Sequence, residues 1–520
     1  MKISKIAVIG AGVMGSGIAA QVVNAGYPVI LLDIVPPDLT KFNGNRNAFA
    51  QGAVEKMLKT DPAPFMLPAN AKRITCGNLE DDLNLLADVD WIIEVVVENL
   101  DIKHKTYEKL EKHRKKGSIV SSNTSTIPLH KLAEGQSENF KKDFMITHFF
   151  NPPRYMRLLE LIVGRETRPD AIETIRAFCD IELGKGVVRC HDTPGFIANR
   201  LGVFWLTAGV NEAIKQKVSI ETADAVMSRP VGIPKTGVFG LIDLVGIDLM
   251  PKLADSLLST LPPDDSYRSE HVDYPFVHLM IAAGYTGRKG KGGFYRLDPN
   301  SKDKTKQALA LKSDSFTETQ YHKAGKPKLE SVDAGRGGLR AVVETEDEGG
   351  KYAWEVLKKT LHYAASLVGE IADTVFDIDE AMKLGYNWKG GPFEMIDALG
   401  PKWFAAKLKI EGMDVPDILK TVGEGTFYRI ENGKRQYFGT DGKYHDVKRP
   451  DGVLLLSDIK LSSQPVLKNG SAKVWDIGDG VLCFEHQTKM NTFDEDLFAL
   501  LEQTRTTIEK SEGKYKAMVV

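Results

Sequence analysis

The sequence predicts an α/β domain on a parallel sheet, then two copies of an all-α domain, then the start of a further, incomplete α/β domain. Three observations predict this. From residue 1 to about residue 190, short β-branched runs alternate with helical stretches, the pattern of strands joined through helices that cover both faces of a sheet. Further on, "DAVMSRPVGIPKTGVFGLIDLVGID" (224–248) parallels "DEAMKLGYNWKGGPFEMIDALGPKW" (379–403), sharing D-x-x-M, G-x-F and an I-D helix ending in Gly, with Asp243 matched by Asp397 at an offset of 154 residues. A fixed offset over so many positions marks a repeated unit. Finally, "KVWDIGDGVLCFEH" reads as a hairpin around Gly478-Asp479-Gly480, "EDLFALLEQTRTTIEKSEG" as an amphipathic helix and "KAMVV" as a strand.

Taken in order, the strand candidates are "KIAVIG", "PVILLD", "RITCG", "VDWIIEVVV", "SIVSSN", "FMITHFF" and "LLELIVG". In the opening stretch, Gly10, Gly12 and Gly15 form G-x-G-x-x-G between the first strand and a helix. The first glycine permits a tight turn, the second lets a pyrophosphate approach the backbone, and the third lets helix and strand pack closely. The helix N-terminus offers unpaired N–H groups to phosphate. Val13 and Met14 lie in the same turn, and Asp33 closes the second strand, where a carboxylate binds ribose hydroxyls and repels a 2′-phosphate. The expected cofactor is NAD, on a Rossmann-type domain. After "HDTPGFIANR" the pattern becomes helical through Val231, and each repeat is followed by an aromatic element, "KGGFYR" or "EGTFYR". The expected boundaries are 1–190 for the NAD-binding domain, 191–300 for the first helical copy and 301–350 for a linker. A second helical copy follows at 351–440, a linker at 441–471 and the incomplete segment at 472–520.

Composition excludes several classes. The chain has 520 residues, a net charge of −2 and a pI near 6.6, so no global field favours nucleic acid. Cys76, Cys179, Cys190 and Cys483 form no C-x-x-C pair, which argues against a zinc site or a disulfide framework and fits a reducing compartment. No apolar run approaches the ~20 residues that span a bilayer, and the N-terminus lacks the pattern of a signal peptide. The expectation is a cytoplasmic protein without a membrane span or a metal.

The chemistry must come from elsewhere than the glycine turn, since a Rossmann fold names a cofactor and not a reaction. Oxidising an alcohol needs a base for the hydroxyl proton and a polar clamp for the oxygen. His148 ends a strand before an Asn-Pro-Pro turn, and Glu160 lies in the apolar run "RLLELIVG". A carboxylate there is costly to bury unpaired, so the imidazole is its natural partner. Ser125, in the loop after a strand, and Asn199, at the start of the helical domain, can hold a substrate oxygen. Taken singly, each has a structural alternative: a core or loop histidine, a solvated strand acid, a turn-forming serine, a capping asparagine.

The motifs "GAGVMGSGIA", "VENLDIK", "SSNTST", "HFFNPP", "LLELI", "DTPGFIANR" and "GLIDLVG" together resemble the L-3-hydroxyacyl-CoA dehydrogenases of fatty-acid β-oxidation. The resemblance implies NAD-dependent oxidation of a 3-hydroxyacyl-CoA to the 3-oxoacyl-CoA. It makes His148 the base, Glu160 its partner, and Ser125 and Asn199 the ligands of the substrate oxygen. It also places Glu98, Lys103 and Asn123 at the cofactor, with Lys56 and Lys59 as candidate coenzyme A contacts in an arm whose register departs from the family's. The duplicated helical domain resembles the multifunctional members of that pathway, and the tail resembles the opening of an enoyl-CoA hydratase domain of the crotonase type. From this follow expectations of association with a thiolase or other β-oxidation enzymes, of a monomer or homodimer, of dehydrogenase without hydratase activity, and of poor packing beyond about residue 472. The second copy repeats no "DTPGF-NR" segment and is expected to pack against the first without a catalytic role. Two alternatives remain. One is a hydroxyacid dehydrogenase that uses a helical-domain lysine, against which "GFIANRLG" has none; the other is a catalytically silent NAD-binding protein of the lens-crystallin kind.

Overall fold

The computed structural model describes residues 2–450 and 452–520, and the chain divides into two compact units, Met1–Gly425 and Thr426–Val520. The first unit opens with β1 (Ile6–Ile9), β2 (Val29–Asp33), β3 (Ile74–Asn78), β4 (Trp91–Glu94), β5 (Ile119–Ser122), β6 (Phe144–Phe149), β7 (Leu158–Val163) and β8 (Gly186–Cys190). They form one sheet in the order β3-β2-β1-β4-β5-β6-β7-β8. Strands β1 and β4 are continuously apolar apart from Glu94, and fully buried, as strands covered on both faces must be. Strand order reverses between β1 and β4, and ligands of such sheets bind in the crevice at the strand ends there. Helices α1 (Val13–Asn24), α2 (Ala48–Met57) and α3 (Leu100–His113) belong to the same layered domain.

The sheet departs from the expected parallel arrangement at one place. β7 runs antiparallel to β6, in a register that sets His148 directly opposite Glu160. The connection between them, residues 150–157, holds no helix and is too short for the crossover a parallel pair requires. The eighth strand, "GVVRC", was not anticipated; it pairs parallel with β7.

Helices α4 (Ala198–Gln216), α5 (Ile220–Val226) and α6 (Phe239–Val245) begin the first helical copy. Their counterparts are α7 (Glu348–Ser366), α8 (Val375–Tyr386) and α9 (Pro392–Leu399). The shared D-x-x-M aspartate has one job in both. Asp224 accepts N–H bonds from Phe239 and Gly240 at the start of α6, and Asp379 accepts them from Phe393 and Glu394 at the start of α9. The two long helices α4 and α7 pack side by side, with Phe204 and Tyr363 stacked at 4.1 Å between ring centroids.

The expectation of purely helical copies and of a linker at 301–350 is corrected. Tyr295 of "KGGFYR" begins β9 (Tyr295–Leu297), which joins β10 (Lys306–Leu309) and β11 (Tyr321–Lys323) in an antiparallel sheet. Ala308, Leu309 and Tyr321 are buried there, so this charged segment has an apolar face and a reason to fold. Two short helices, Glu330–Ala334 and Leu339–Val343, complete it.

In the second unit, β12 (Tyr428–Glu431), β13 (Lys434–Phe438) and β14 (Tyr444–Asp446) form one antiparallel sheet, so the expected boundary at 440 and the linker from 441 do not describe it. A four-stranded sheet follows: β15 (Leu467–Lys468), β16 (Ala472–Asp476), β17 (Val481–His486) and β18 (Ala517–Val519), with helix α10 (Glu495–Glu509). Poor packing beyond residue 472 was expected; instead Leu497 and Leu500 of α10 bury against Val474, Leu482 and Phe484. A helix laid on three or more strands supplies the second layer a hairpin lacks. Among the described residues, no helix is long and apolar enough to cross a membrane.

Candidate active site

The glycine turn after β1 is shaped by close approach. Gly10 has φ +104°, and a Cβ there would stand 2.6 Å from the Val95 carbonyl oxygen; a Cβ on Gly15 would stand 1.8 Å from the Gly10 carbonyl oxygen. Gly12 differs: nothing lies within 4 Å of where its Cβ would be. It is the N-cap of α1 and no side chain caps that helix. A cavity of about 590 Å³ opens at this turn, lined by Gly12, Val13, Asp33, Lys56 and Asn151 among others. Asp33 braces the turn, accepting from the Ala11 N–H at 2.6 Å and from the Ile34 N–H at 2.6 Å. An uncapped helix end, an open glycine and a carboxylate at the rim of one cavity fit a dinucleotide pyrophosphate and its ribose. Of the two arm lysines, Lys56 on α2 lines this cavity and Lys59 does not.

His148 and Glu160 meet. His148 Nδ1 lies 2.7 Å from Glu160 Oε2, with the imidazole nearly buried and the carboxylate fully so. The other oxygen, Oε1, accepts from the Ile197 N–H at 3.1 Å and the Ala198 N–H at 2.8 Å. These are the N-cap and first residue of α4, which has no capping side chain of its own. A helix N-terminus favours negative charge, so the carboxylate is held by the ring on one side and by the helix on the other. Phe150 and Phe196 pack on the imidazole with centroids at 4.5 and 5.7 Å. Burial, reinforced by the charge of Glu160, pushes the neighbouring Cys190 thiol and Tyr386 phenol well up, so both stay neutral.

Ser125 follows β5, and Asn199 sits in the first turn of α4, next in sequence to Ala198, whose N–H holds Glu160. Among the described residues, neither side chain hydrogen-bonds to another group of the protein; the Ser125 N–H is held by Glu98 at 2.9 Å. Glu98 also accepts from the Thr124 hydroxyl and the Thr126 N–H. Burial pushes its carboxyl up, but the Lys103 charge and these donors outweigh that and hold it below the usual range. Lys103 is 1% exposed, and its ammonium is paired with Glu94 at 2.7 Å and with Glu98 at 3.4 Å, which links it to the Ser125 loop through Glu98. Asn123 accepts from the Phe149 N–H at 2.9 Å, tying the end of β5 to the strand end that carries His148.

Glu94 was missed. Fully buried, it accepts from Lys103, from the Tyr107 and Ser122 hydroxyls and from the Val96 N–H. The signal was present: an acid inside the apolar run "DWIIEVVV", the same signal that singled out Glu160.

Residues 5–193 match the model of the 3-hydroxyacyl-CoA dehydrogenase NAD binding domain, and residues 195–297 that of the 3-hydroxyacyl-CoA dehydrogenase C-terminal domain. A protein of Bacillus subtilis (strain 168), named a probable 3-hydroxyacyl-CoA dehydrogenase, is 40% identical over all of this chain and 66% of its own length. A Rickettsia felis protein, given the name of a fatty acid oxidation complex trifunctional enzyme, is 39% identical over 99% of this chain and 66% of its own. The chain thus spans about two thirds of the length of these relatives. Among solved structures, a 3-hydroxybutyryl-CoA dehydrogenase from Escherichia coli K12 shares the fold, with a TM-score of 0.58 at 22% identity over 81% of this chain and 98% of that one. By both family matches and by identity along its whole length, the chain belongs to the 3-hydroxyacyl-CoA dehydrogenase family.

Proposed function

We propose that the protein oxidises (S)-3-hydroxyacyl-CoA to 3-oxoacyl-CoA in fatty-acid β-oxidation, with NAD as acceptor. The observation that carries this reading is the buried His148–Glu160 pair at 2.7 Å. NAD, when bound at the glycine turn, supplies the two-electron acceptor for the hydride that leaves C3. With Nδ1 engaged by Glu160, Nε2 of His148 takes the hydroxyl proton, and the carboxylate stabilises the imidazolium that forms. The Ser125 hydroxyl and the Asn199 amide hold the substrate oxygen as it becomes a carbonyl. Lys56, on the arm beside the cavity, is suited to a phosphate of coenzyme A. A thiolase, which would consume the 3-oxoacyl-CoA product, is the expected partner.

The test is reduction of acetoacetyl-CoA followed at the NADH absorbance. His148→Gln should lower kcat about 10²–10⁴-fold, the usual contribution of a positioned general base, while leaving NAD affinity nearly unchanged. Near-normal turnover in that variant would exclude the mechanism, and no turnover in the unmodified chain would favour a silent NAD-binding protein. NADPH in place of NADH should serve poorly because of Asp33.

A further inference from the structure

The second helical copy grips the segment "HDTPGFIANR" (191–200) at both ends. At its start, the His191 N–H donates to the Ile371 carbonyl at 2.9 Å, Nδ1 lies 3.0 Å from the Glu370 carbonyl, and Nε2 lies 2.8 Å from Asp373 Oδ1. At its end, the Arg200 guanidinium has no exposed surface. It donates to the Tyr363 hydroxyl, to Asp265 and, at 3.0 Å, to Glu370 Oε1. The Tyr363 hydroxyl in turn donates to Asp265 Oδ1 at 2.8 Å. Tyr363 lies on α7, and Glu370, Ile371 and Asp373 on the loop after it. Gly202 lets α8 close on the same place: a Cβ there would stand 1.8 Å from the Tyr386 hydroxyl.

Everything gripped in this way lies at the N-terminus of α4. Between His191 and Arg200 are Ile197 and Ala198, whose N–H groups hold Glu160, and Asn199. A guanidinium buried among four polar partners, the Pro194 carbonyl included, has a fixed orientation, because moving it strands a charge without compensation. Its place in the first turn passes that constraint to the helix end.

We propose that the second helical copy, which carries no motif of its own for the reaction, positions the His148–Glu160 pair, and that Arg200 is the positioning residue through which it does so. The kinetic part rests on the function proposed above; the positioning itself does not.

The test uses the full chain. Glu370→Gln removes a charge from the cluster without changing its volume, at a side chain 47% exposed, so folding should survive. Arg200→Lys keeps the charge but loses the fork. The readouts are kcat, the NAD dissociation constant, and the titration of the His148 ring by NMR of labelled histidine. The ring faces Glu160 from β7; Glu160 faces the neutral Cys190 of β8 and Tyr386 of α8. A Glu160 with loosened backbone donors is the stronger base towards the ring, so the His148 pKa should rise in Glu370→Gln, and further in Arg200→Lys. Over the same variants kcat should fall about tenfold, since displacements of ~1 Å made far from the chemistry can cost as much as ~10²-fold. NAD affinity should stay within about twofold. An unchanged His148 titration in a folded Glu370→Gln protein overturns the proposal, whether or not kcat falls. Should the chain prove inactive with acetoacetyl-CoA while the titration still moves, positioning stands and the proposed function fails.

Discussion

Helices α4 and α7 are the same length, nineteen residues, and each precedes an aspartate that caps the next helix but one. They differ at their first turn. Helix α7 begins at Asp347, whose side chain accepts from the Gly350 N–H at 2.7 Å and from the Ser331 N–H and hydroxyl. Helix α4 begins at Ile197, which has nothing to cap with, and Glu160 from the sheet serves instead. One copy closes its own end and is a scaffold. The other leaves its end to be closed by a carboxylate that also holds His148, which joins the seating of the helix to the geometry of the pair.

The largest effect should come from breaking the shared carboxylate. Glu160→Gln keeps the shape and loses the charge, so kcat should fall by about 10²-fold or more, and the acid limb of the pH–rate profile should move to lower pH as the imidazolium loses its counter-charge. An unchanged limb would mean that Glu160 is only a helix cap. The paired aspartates sharpen the comparison next. Burial, opposed by the Phe239 N–H, the Tyr295 hydroxyl and other donors, raises the Asp224 carboxyl to about 7. The folded chain therefore keeps a proton between pH ~4 and ~7 that the unfolded chain gives up, and stability from this group declines as pH rises through that window. Asp224→Asn should flatten this slope in urea titrations, with no change in His148 behaviour; an unaltered slope would show the carboxyl ionised throughout. Least affected should be Asp347→Ala, which removes an ordinary N-cap worth ~1 kcal/mol. The expected result is a fall of about 1 °C in Tm with kcat intact, and a loss of rate there like that of Glu160→Gln would erase the distinction between the two ends.

What was legible in the sequence was mostly local. The turn at Gly10, Gly12 and Gly15 declares itself because strand, turn and helix lie within one short stretch, and the repeat because Asp224 and Asp379 cap helices only fourteen to sixteen residues onward. The His148–Glu160 pair was suggested by a buried acid needing a partner and assigned by the family resemblance; the antiparallel pairing of β6 and β7 is what sets the two side by side. Less legible were groups whose partners are far along the chain. Arg200 reads as one more helical arginine until Glu370, 170 residues later, folds against it. The burial of the Lys103 ammonium depends on Glu94 and on a helix that turns it inward, which no local pattern announces. The segment 301–350 reads as a linker because its apolar face is only a few residues wide.

The bare N-cap of α4 also limits how the protein can be made sturdier. Placing Asp or Ser at the start of a helix is a standard route to a higher Tm, and Ile197 is the position a survey of helix ends would pick first. An aspartate there would compete for the donors that Glu160 now uses and would bring a second negative charge beside it. Heat resistance gained at that end would be taken from the carboxylate that faces His148. Stabilisation is better sought on the scaffold side, where Asp347 already occupies the helix end and nothing in the sheet depends on it.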